Sequence, residues 1–398
     1  MKIAVILPPT ASSFRSIAGL PLIQRTVLSA LQSGFDRVIV LAPRYAERLH
    51  ALLRGDRRTR TVEIADALPG MEGHAVAVIP SDCLVTPATL EQVTAGSLNG
   101  RPLLFRTANQ HAVALCRPGM LADIDLGTLA ETRAETVWNE LQRRNAQILP
   151  LDEMCVPITD ARSVEVAEQA LCRRLRADSA ASDGPLAHWI DRRISLGISR
   201  WLVRHTQLRP NHITVVGTSV GLLAALVLGA GSYWAGIAGT LLFLCATIID
   251  GCDGEVARLT FHTSDFGQKF DVITDNIVHV AIFIGLGFGV YHQNPQAPYM
   301  LVGGILLSGF ACNGVLSYFF LVRRPGFATS RGTPVSWRGK LRQSLLRAFE
   351  AMMNRDFAYL LLLFALFGHL EWFFWAAAFG SYGFAVWLLC VYRWRDAV

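Results

Sequence analysis

The chain has 398 residues, a formal net charge of +6, 52% hydrophobic residues and only 17% charged ones. Soluble domains average about 25% charged residues, and domains commonly run to about 100–200 residues. The composition therefore excludes a disordered, collagenous or small disulfide-stapled protein and suggests two domains, with part of the chain in lipid. Lysine occurs only at Lys2, Lys269 and Lys340, so arginine carries nearly all the positive charge.

Residues 1–178 read as alternating strands and helices. Lys2–Leu7 predicts a strand, Pro21–Ser33 a helix, Arg37–Ala42 a second strand and Arg44–Leu53 a second helix. Further β-like runs are Ala75–Pro80, Pro102–Arg106 and Ala112–Cys116, and Ser163–Arg176 closes the half as a helix. This alternation predicts a parallel sheet covered by helices on both faces. The small, polar stretch beginning at Ala177 predicts a linker over 179–185, with a second domain over 186–398.

Leu186–His205 mixes Trp189, Ile190, Ile194, Ile198, Trp201 and Leu202 with Arg192, Arg193, Arg200 and Arg204, the pattern of an amphipathic helix lying on a membrane surface. A membrane span needs about 20 mostly apolar residues. Six candidates follow, at 213–231, 234–256, 268–290, 299–321, 357–370 and 372–392. The loops Gly231–Tyr233, Tyr291–Pro298 and Gly368–Trp372 hold no Lys or Arg, whereas 323–355 holds Arg323, Arg324, Arg331, Arg338, Lys340, Arg342, Arg347 and Arg355. The positive-inside rule then predicts a multi-pass protein of the cytoplasmic (inner) membrane, with both termini cytoplasmic. No cleavable signal peptide is expected before the first strand. The eight cysteines include no CxxC pair, so neither disulfides nor a zinc site are expected.

Span two ends and span three begins with four aspartates. Asp250, Asp253 and Ala257 are spaced i, i+3, i+7 and share a helix face, as do Gly267, Asp271 and Asp275 at i, i+4, i+8. Each aspartate near a bilayer centre costs about 2.5–3.5 kcal/mol. If the two spans are antiparallel neighbours, the four carboxylates converge and require cations. Two Mg²⁺ or Mn²⁺ ions suit an all-oxygen ligand set and would clamp phosphate oxygens. Arg258 could hold a phosphate by a bidentate contact, and Gly254 and Gly267 would allow close approach. Two other readings of the aspartates remain: pairing with arginines, or a water-filled path in a divalent-cation transporter. The second requires polar residues across the membrane, and spans one and four to six offer few beyond Asn313 and some serines.

The pattern D-x-x-D-G-x-x-A-R, eight residues, then G-x-x-x-D-x-x-x-D, from Asp250 to Asp275, resembles the signature of the CDP-alcohol phosphotransferase family. Pro210-Asn211-His212-Ile213-Thr214 is a second similar feature, and the likeness covers 186–398. The resemblance implies transfer of a phosphoryl-alcohol group from a CDP-linked donor, such as CDP-diacylglycerol, to an acceptor hydroxyl, with release of CMP, in phospholipid or polar-lipid synthesis. It implies that Asp250, Asp253, Asp271 and Asp275 bind the metals and that Asp275 is also the general base. Asn211, Thr214, Gly254, Arg258 and Ser264 match donor-binding positions. The resemblance also implies a homodimer, with membrane lipids around it and no nucleic-acid partner. The acceptor, an alcohol or polyol phosphate, stays unnamed, and Arg355 in the basic loop is the residue expected to bind it. His279 is expected to serve helix packing.

The first half resembles an α/β, Rossmann-like nucleotidyltransferase fold, through Lys2–Leu7, Gly19-Leu20-Pro21-Leu22-Ile23-Gln24-Arg25, Arg37–Ala42 and Asp82. With the six-helix membrane domain behind it, the order resembles bifunctional inositol-phosphate cytidylyltransferase/di-inositol-phosphate-phosphate synthase proteins, which make a soluble di-polyol phosphate. Active members have a glycine-rich loop after the first strand, whose N–H groups cradle a triphosphate. Here Pro8-Pro9-Thr10-Ala11-Ser12-Ser13-Phe14-Arg15 has no glycine, and the usual lysine before the Gly19 segment is missing. The expectation is a degenerate domain in which Asp82 is a structural loop residue. Asn276 also stands where those proteins tend to carry an arginine.

Overall fold

A computed structural model describes residues 2–70, 74–107, 112–121, 134–151, 154–180, 184, 186–317 and 356–395. The chain forms two compact units, Met1–Arg173 and Arg174–Val398. The boundary falls inside a continuous helix, Ala161–Ser179.

The first unit contains strands β1 (Ile3–Ile6), β2 (Ser16–Ile17), β3 (Leu20–Pro21), β4 (Arg37–Leu41), β5 (Glu63–Ala65), β6 (Val76–Ile79), β7 (Cys83–Val85), β8 (Leu103–Arg106), β9 (Ala112–Cys116), β10 (Gln147–Pro150) and β11 (Cys155–Pro157). Its helices are α1 (Leu22–Gln32), α2 (Ala46–Gly55), α3 (Pro87–Thr94), α4 (Glu135–Arg143) and α5 (Ala161–Ser179). The main sheet has the order β10-β8-β9-β6-β1-β4-β5. β1 is buried at every residue and pairs in parallel with β4 and β6. Covered on both faces, it reads as an unbroken apolar run.

The sheet is mixed rather than all parallel, because β9 runs antiparallel to both β6 and β8. Only residues 107–111 separate β8 from β9, too few for the crossover of a dozen or more residues that a parallel pair requires. β10 is a largely exposed edge strand paired with β8, and its sequence has no alternation to announce it.

After β1 the chain enters a single 3₁₀ turn, Ala11–Phe14, closed on itself by a capping box between Thr10 and Ser13. Ser81 donates to the Pro8 carbonyl at 2.8 Å. At Ala18-Gly19 the backbone takes positive φ values of 45° and 81°. Arg25 donates to the carbonyls of Ile17 and Ala18 at 3.0 and 3.2 Å, and Glu168 accepts from the Ala18 N–H at 2.9 Å. Burial lowers the Arg25 guanidinium to about 10, opposed by the nearby Glu168 charge. Asp82 uses its backbone carbonyl to accept from the Ile158 N–H at 2.8 Å.

The second unit is helical: α6 (Arg192–His205), α7 (Pro210–Gly229), α8 (Tyr233–Leu259), α9 (Asp265–Gln293), α10 (Tyr299–Ser317), α11 (Phe357–Leu366) and α12 (Leu370–Arg395). Among the described residues four helices, α7 to α10, are long and apolar enough to cross a membrane. The six-span expectation is therefore met in four places. α11 has ten residues, about half the length a crossing needs. α12 has 26 residues and contains the expected sixth segment.

Helix α7 packs against both α8 and α9, while α8 and α9 approach each other little. Close packing against α9 depends on Gly285, because a Cβ there would run into the Ala225 carbonyl of α7. Phe243, Ile282, Leu286, Leu361 and Phe374 fill the centre of the unit. Leu226 and Trp234 point outward, at 76% and 75% exposure, as lipid-facing side chains do.

Candidate active site

The end of α8 and the start of α9 are joined by a short reversal, with Phe261 at φ +57°. Ser264 caps α9 by accepting from the Gly267 N–H at 3.0 Å. Thus two helices that scarcely touch diverge from a common loop, and the cleft between them receives their polar faces.

Asp250 from α8 and Asp271 and Asp275 from α9 meet in this cleft, each half-buried, with a carboxylate oxygen of each within 4.8 Å of the others. The i, i+4 spacing of Asp271 and Asp275 places both on the α9 face turned toward Asp250. Asp253 lies outside that 4.8 Å group but within electrostatic range of Asp250 and Asp271. It is buried, and its Oδ2 accepts a hydrogen bond from Thr214 on α7. The reason is that α7 lies against this turn of α8, so the carboxylate meets the Thr214 hydroxyl before it meets α9.

The other candidate residues surround the cleft. Asn211 lies in the first turn of α7, and a Cβ added at Gly267 would lie 3.6 Å from its Oδ1 and 3.1 Å from the Ser264 Oγ. Asn211, Ser264 and Gly267 are therefore neighbours although two of them belong to α9 and its cap. A Cβ at Gly254 would lie 3.4 Å from Nη1 of Arg258, which ends α8 within electrostatic range of Arg192, Glu255, Asp178 and Asp253. Arg355 and the basic loop 323–355 lie outside the described residues, as do parts of the expected linker.

Below the carboxylates, a small cavity is lined by Thr218, Thr247, Asp250, Asp275 and His279 among others. His279 Nδ1 lies 2.7 Å from the Asp275 carbonyl, and its ring packs among Phe243, Phe310 and Phe357. Asn276 is exposed and donates back to the Val272 carbonyl at 2.6 Å.

The donor set is oxygen only, with no thiol or imidazole in the cluster. Three carboxylates this close repel one another, and a hard divalent cation is the charge that suits them. Such an ion fits Asp250, Asp271 and Asp275.

One buried carboxylate was missed by the reading of the sequence. Glu255 accepts from Arg192 Nη1 at 2.9 Å and from the Ser195 and Ser199 hydroxyls at 2.6 and 2.7 Å. The signal was present: Arg192, Ser195 and Ser199 are spaced i, i+3, i+7 and form one polar stripe along the helix.

Four membrane-capable helices and a cleft lined by three carboxylates suit a membrane protein that holds a hard divalent ion. The comparisons narrow the class. Residues 207–387 match the profile of the CDP-alcohol phosphatidyltransferase family. A bifunctional IPC transferase and DIPP synthase of Aquifex aeolicus is 25% identical over 340 residues, covering 73% of this chain and 76% of that protein. A CDP-diacylglycerol–serine O-phosphatidyltransferase of Helicobacter pylori is 34% identical over 110 residues, covering 26% of this chain and 45% of that protein. Among solved structures, phosphatidylinositol phosphate synthase of Mycobacterium tuberculosis with CDP-DAG bound gives a TM-score of 0.33 at 22% identity, covering 50% of this chain and 92% of that one. The same synthase in complex with manganese and citrate gives a TM-score of 0.32 at 21% identity, covering 49% and 87%.

Proposed function

We propose that the protein transfers a phosphoryl-alcohol group from a CDP-linked donor to the hydroxyl of an acceptor. The acceptor oxygen bonds to the donor phosphorus, the bond to the CMP oxygen breaks, and CMP leaves. The observation that carries this reading is the cluster of Asp250, Asp271 and Asp275 in the cleft between α8 and α9. These three residues would hold a Mg²⁺ or Mn²⁺ ion, with Asp253 beside them for a second. When bound, the metal would polarise the diphosphate and stabilise the charge on departing CMP.

The remaining steps belong to the chain's own groups. Asp275 takes the proton of the acceptor hydroxyl. Arg258 faces the charge of the diphosphate, and Asn211, Thr214, Gly254 and Ser264 form the seat of the cytidine portion. Thr214 acts partly through Asp253, whose carboxylate its hydroxyl orients. CDP-diacylglycerol is the donor favoured by the relationship to the serine phosphatidyltransferase. The acceptor is an alcohol or polyol phosphate, and Arg355 is the residue proposed to bind it. Loop charges favour both chain ends on the cytoplasmic side of the inner membrane.

The first unit is read as a domain without cytidylyltransferase activity. Its loop after β1 has no glycine, opens with two prolines that carry no N–H, and uses the Thr10 and Ser13 N–H groups within its own turn.

The test uses full-length protein in phospholipid vesicles with CDP-diacylglycerol, Mn²⁺ and a panel of alcohols and polyol phosphates. Release of CMP that is lost in Asp275→Asn is the expected result. No CMP with any acceptor, or equal release by Asp275→Asn, would overturn the proposal.

A further inference from the structure

Helix α6 buries an arginine and two serines, and exposes large apolar side chains beside Arg193, Arg204 and His205. Ser195, Leu196, Ser199 and Val203 face inward and are buried, with Arg192 beside them. Ile194, Ile198 and Trp201 face outward at 45%, 37% and 56% exposure. Such an outer face matches the interfacial layer of a bilayer. Its inner face makes three hydrogen bonds to one side chain, Glu255 of α8, which is 1% exposed. Two further contacts join the same turns: Ser199 Oγ to the Cys252 carbonyl at 3.4 Å, and Cys252 Sγ to the Ser195 carbonyl at 3.5 Å.

If Glu255 served only to hold two helices together, an apolar residue would do so at lower cost, because desolvating an ion pair offsets much of its attraction. Its place in the sequence points to another role. Glu255 adjoins Gly254, follows Asp253 by two residues and precedes Arg258 by one helical turn. Two guanidinium groups, those of Arg192 and Arg258, lie within electrostatic range of each other, and Glu255 acts on both. Without that carboxylate, the buried Arg192 charge would act on Arg258 unopposed.

We infer that Glu255 is a positioning residue that pairs with Arg192 of the lipid-facing helix and thereby leaves Arg258 and Asp253 directed at the donor. This rests on the CDP-donor reading above. The partner of the outer face of α6 is the membrane surface, so Glu255 links the seating of α6 to the donor side of α8.

The experiment measures CDP-diacylglycerol binding and thermal unfolding of the full-length protein in phospholipid vesicles. Glu255→Gln and Arg192→Met each remove one charge of the pair, and each is expected to weaken binding about tenfold or more. The double variant Arg192→Met/Glu255→Gln removes both charges and is expected to recover most of that loss, a coupling that a double-mutant cycle reads directly. If one single variant fails to fold, the other with the double variant decides. Singles that unfold at lower temperature yet bind like the wild type would overturn the inference, as would a double variant that binds no better than the singles. Absence of binding by the wild type would instead overturn the donor reading itself.

Discussion

Replacing Asp250 by asparagine should stabilise the metal-free protein while removing most of its response to metal. The carboxylate oxygens of Asp250, Asp271 and Asp275 lie within 4.8 Å of one another. At that distance and an effective dielectric of about 20, each pair of like charges costs about 3.5 kcal/mol. The groups are half-buried, so water screens the term, and about half or less is a fair expectation. Asp250→Asn removes two of the three pairings and keeps the shape of the side chain. The metal-free fold should therefore gain about 1–3 kcal/mol, or on the order of 5 °C in unfolding temperature for a unit of this size. Thermal unfolding in chelator, followed by Mn²⁺ titration, reads both effects. The wild type should begin lower and rise with metal, by about 2.7 kcal/mol at a hundredfold excess over the dissociation constant. The variant should begin higher and rise little. If it begins lower than the wild type in chelator, the three carboxylates are not in electrostatic conflict. They then require no cation to coexist.

Two further outcomes follow from particular contacts. Thr214→Val keeps the shape of the side chain but deletes the donor to buried Asp253, and should cost about 1.5–3 kcal/mol in thermal unfolding. Thr214→Ser retains the hydroxyl and should cost less than half as much; equal losses would show that the methyl, not the hydrogen bond, matters. Gly285→Ala should destabilise the membrane unit by about 1–3 kcal/mol, because its Cβ meets the Ala225 backbone. Gly304→Ala, with nothing within 4 Å, should be neutral or slightly stabilising, and unfolding in the same vesicles compares the two.

Much of the fold could be read because the signals were local. β1, β4, β6, β8 and β9 are short apolar runs buried in the sheet, and α1, α2 and α5 follow helical spacing closely. β10 was not legible, since its residues are mostly exposed and it exists only through pairing with β8. The direction of β9 depended on a count of loop residues that the alternation of strands and helices had concealed. In the membrane half, α11 is apolar throughout, and apolarity alone does not distinguish ten helical residues from a full crossing.

The aspartate cluster shows where the division falls. Spacing along α8 and α9 was enough to put Asp250 and Asp253 on one face and Asp271 and Asp275 on another, because a helix repeats every 3.6 residues whatever surrounds it. Spacing could not say which carboxylates would share a cleft. That was decided by α7, which packs against both helices and offers Thr214 to Asp253 from 39 residues away. Glu255 is the same case: its partners on α6 lie 56 to 63 residues earlier, and only packing brings them to one carboxylate. The sequence alone determined that this protein has a membrane half and an anionic, oxygen-rich site, since apolar length and helical periodicity are properties of short segments. The tertiary structure decided which of those anions face one another and which are held by a neighbouring helix, since that depends on contacts between segments far apart in the chain.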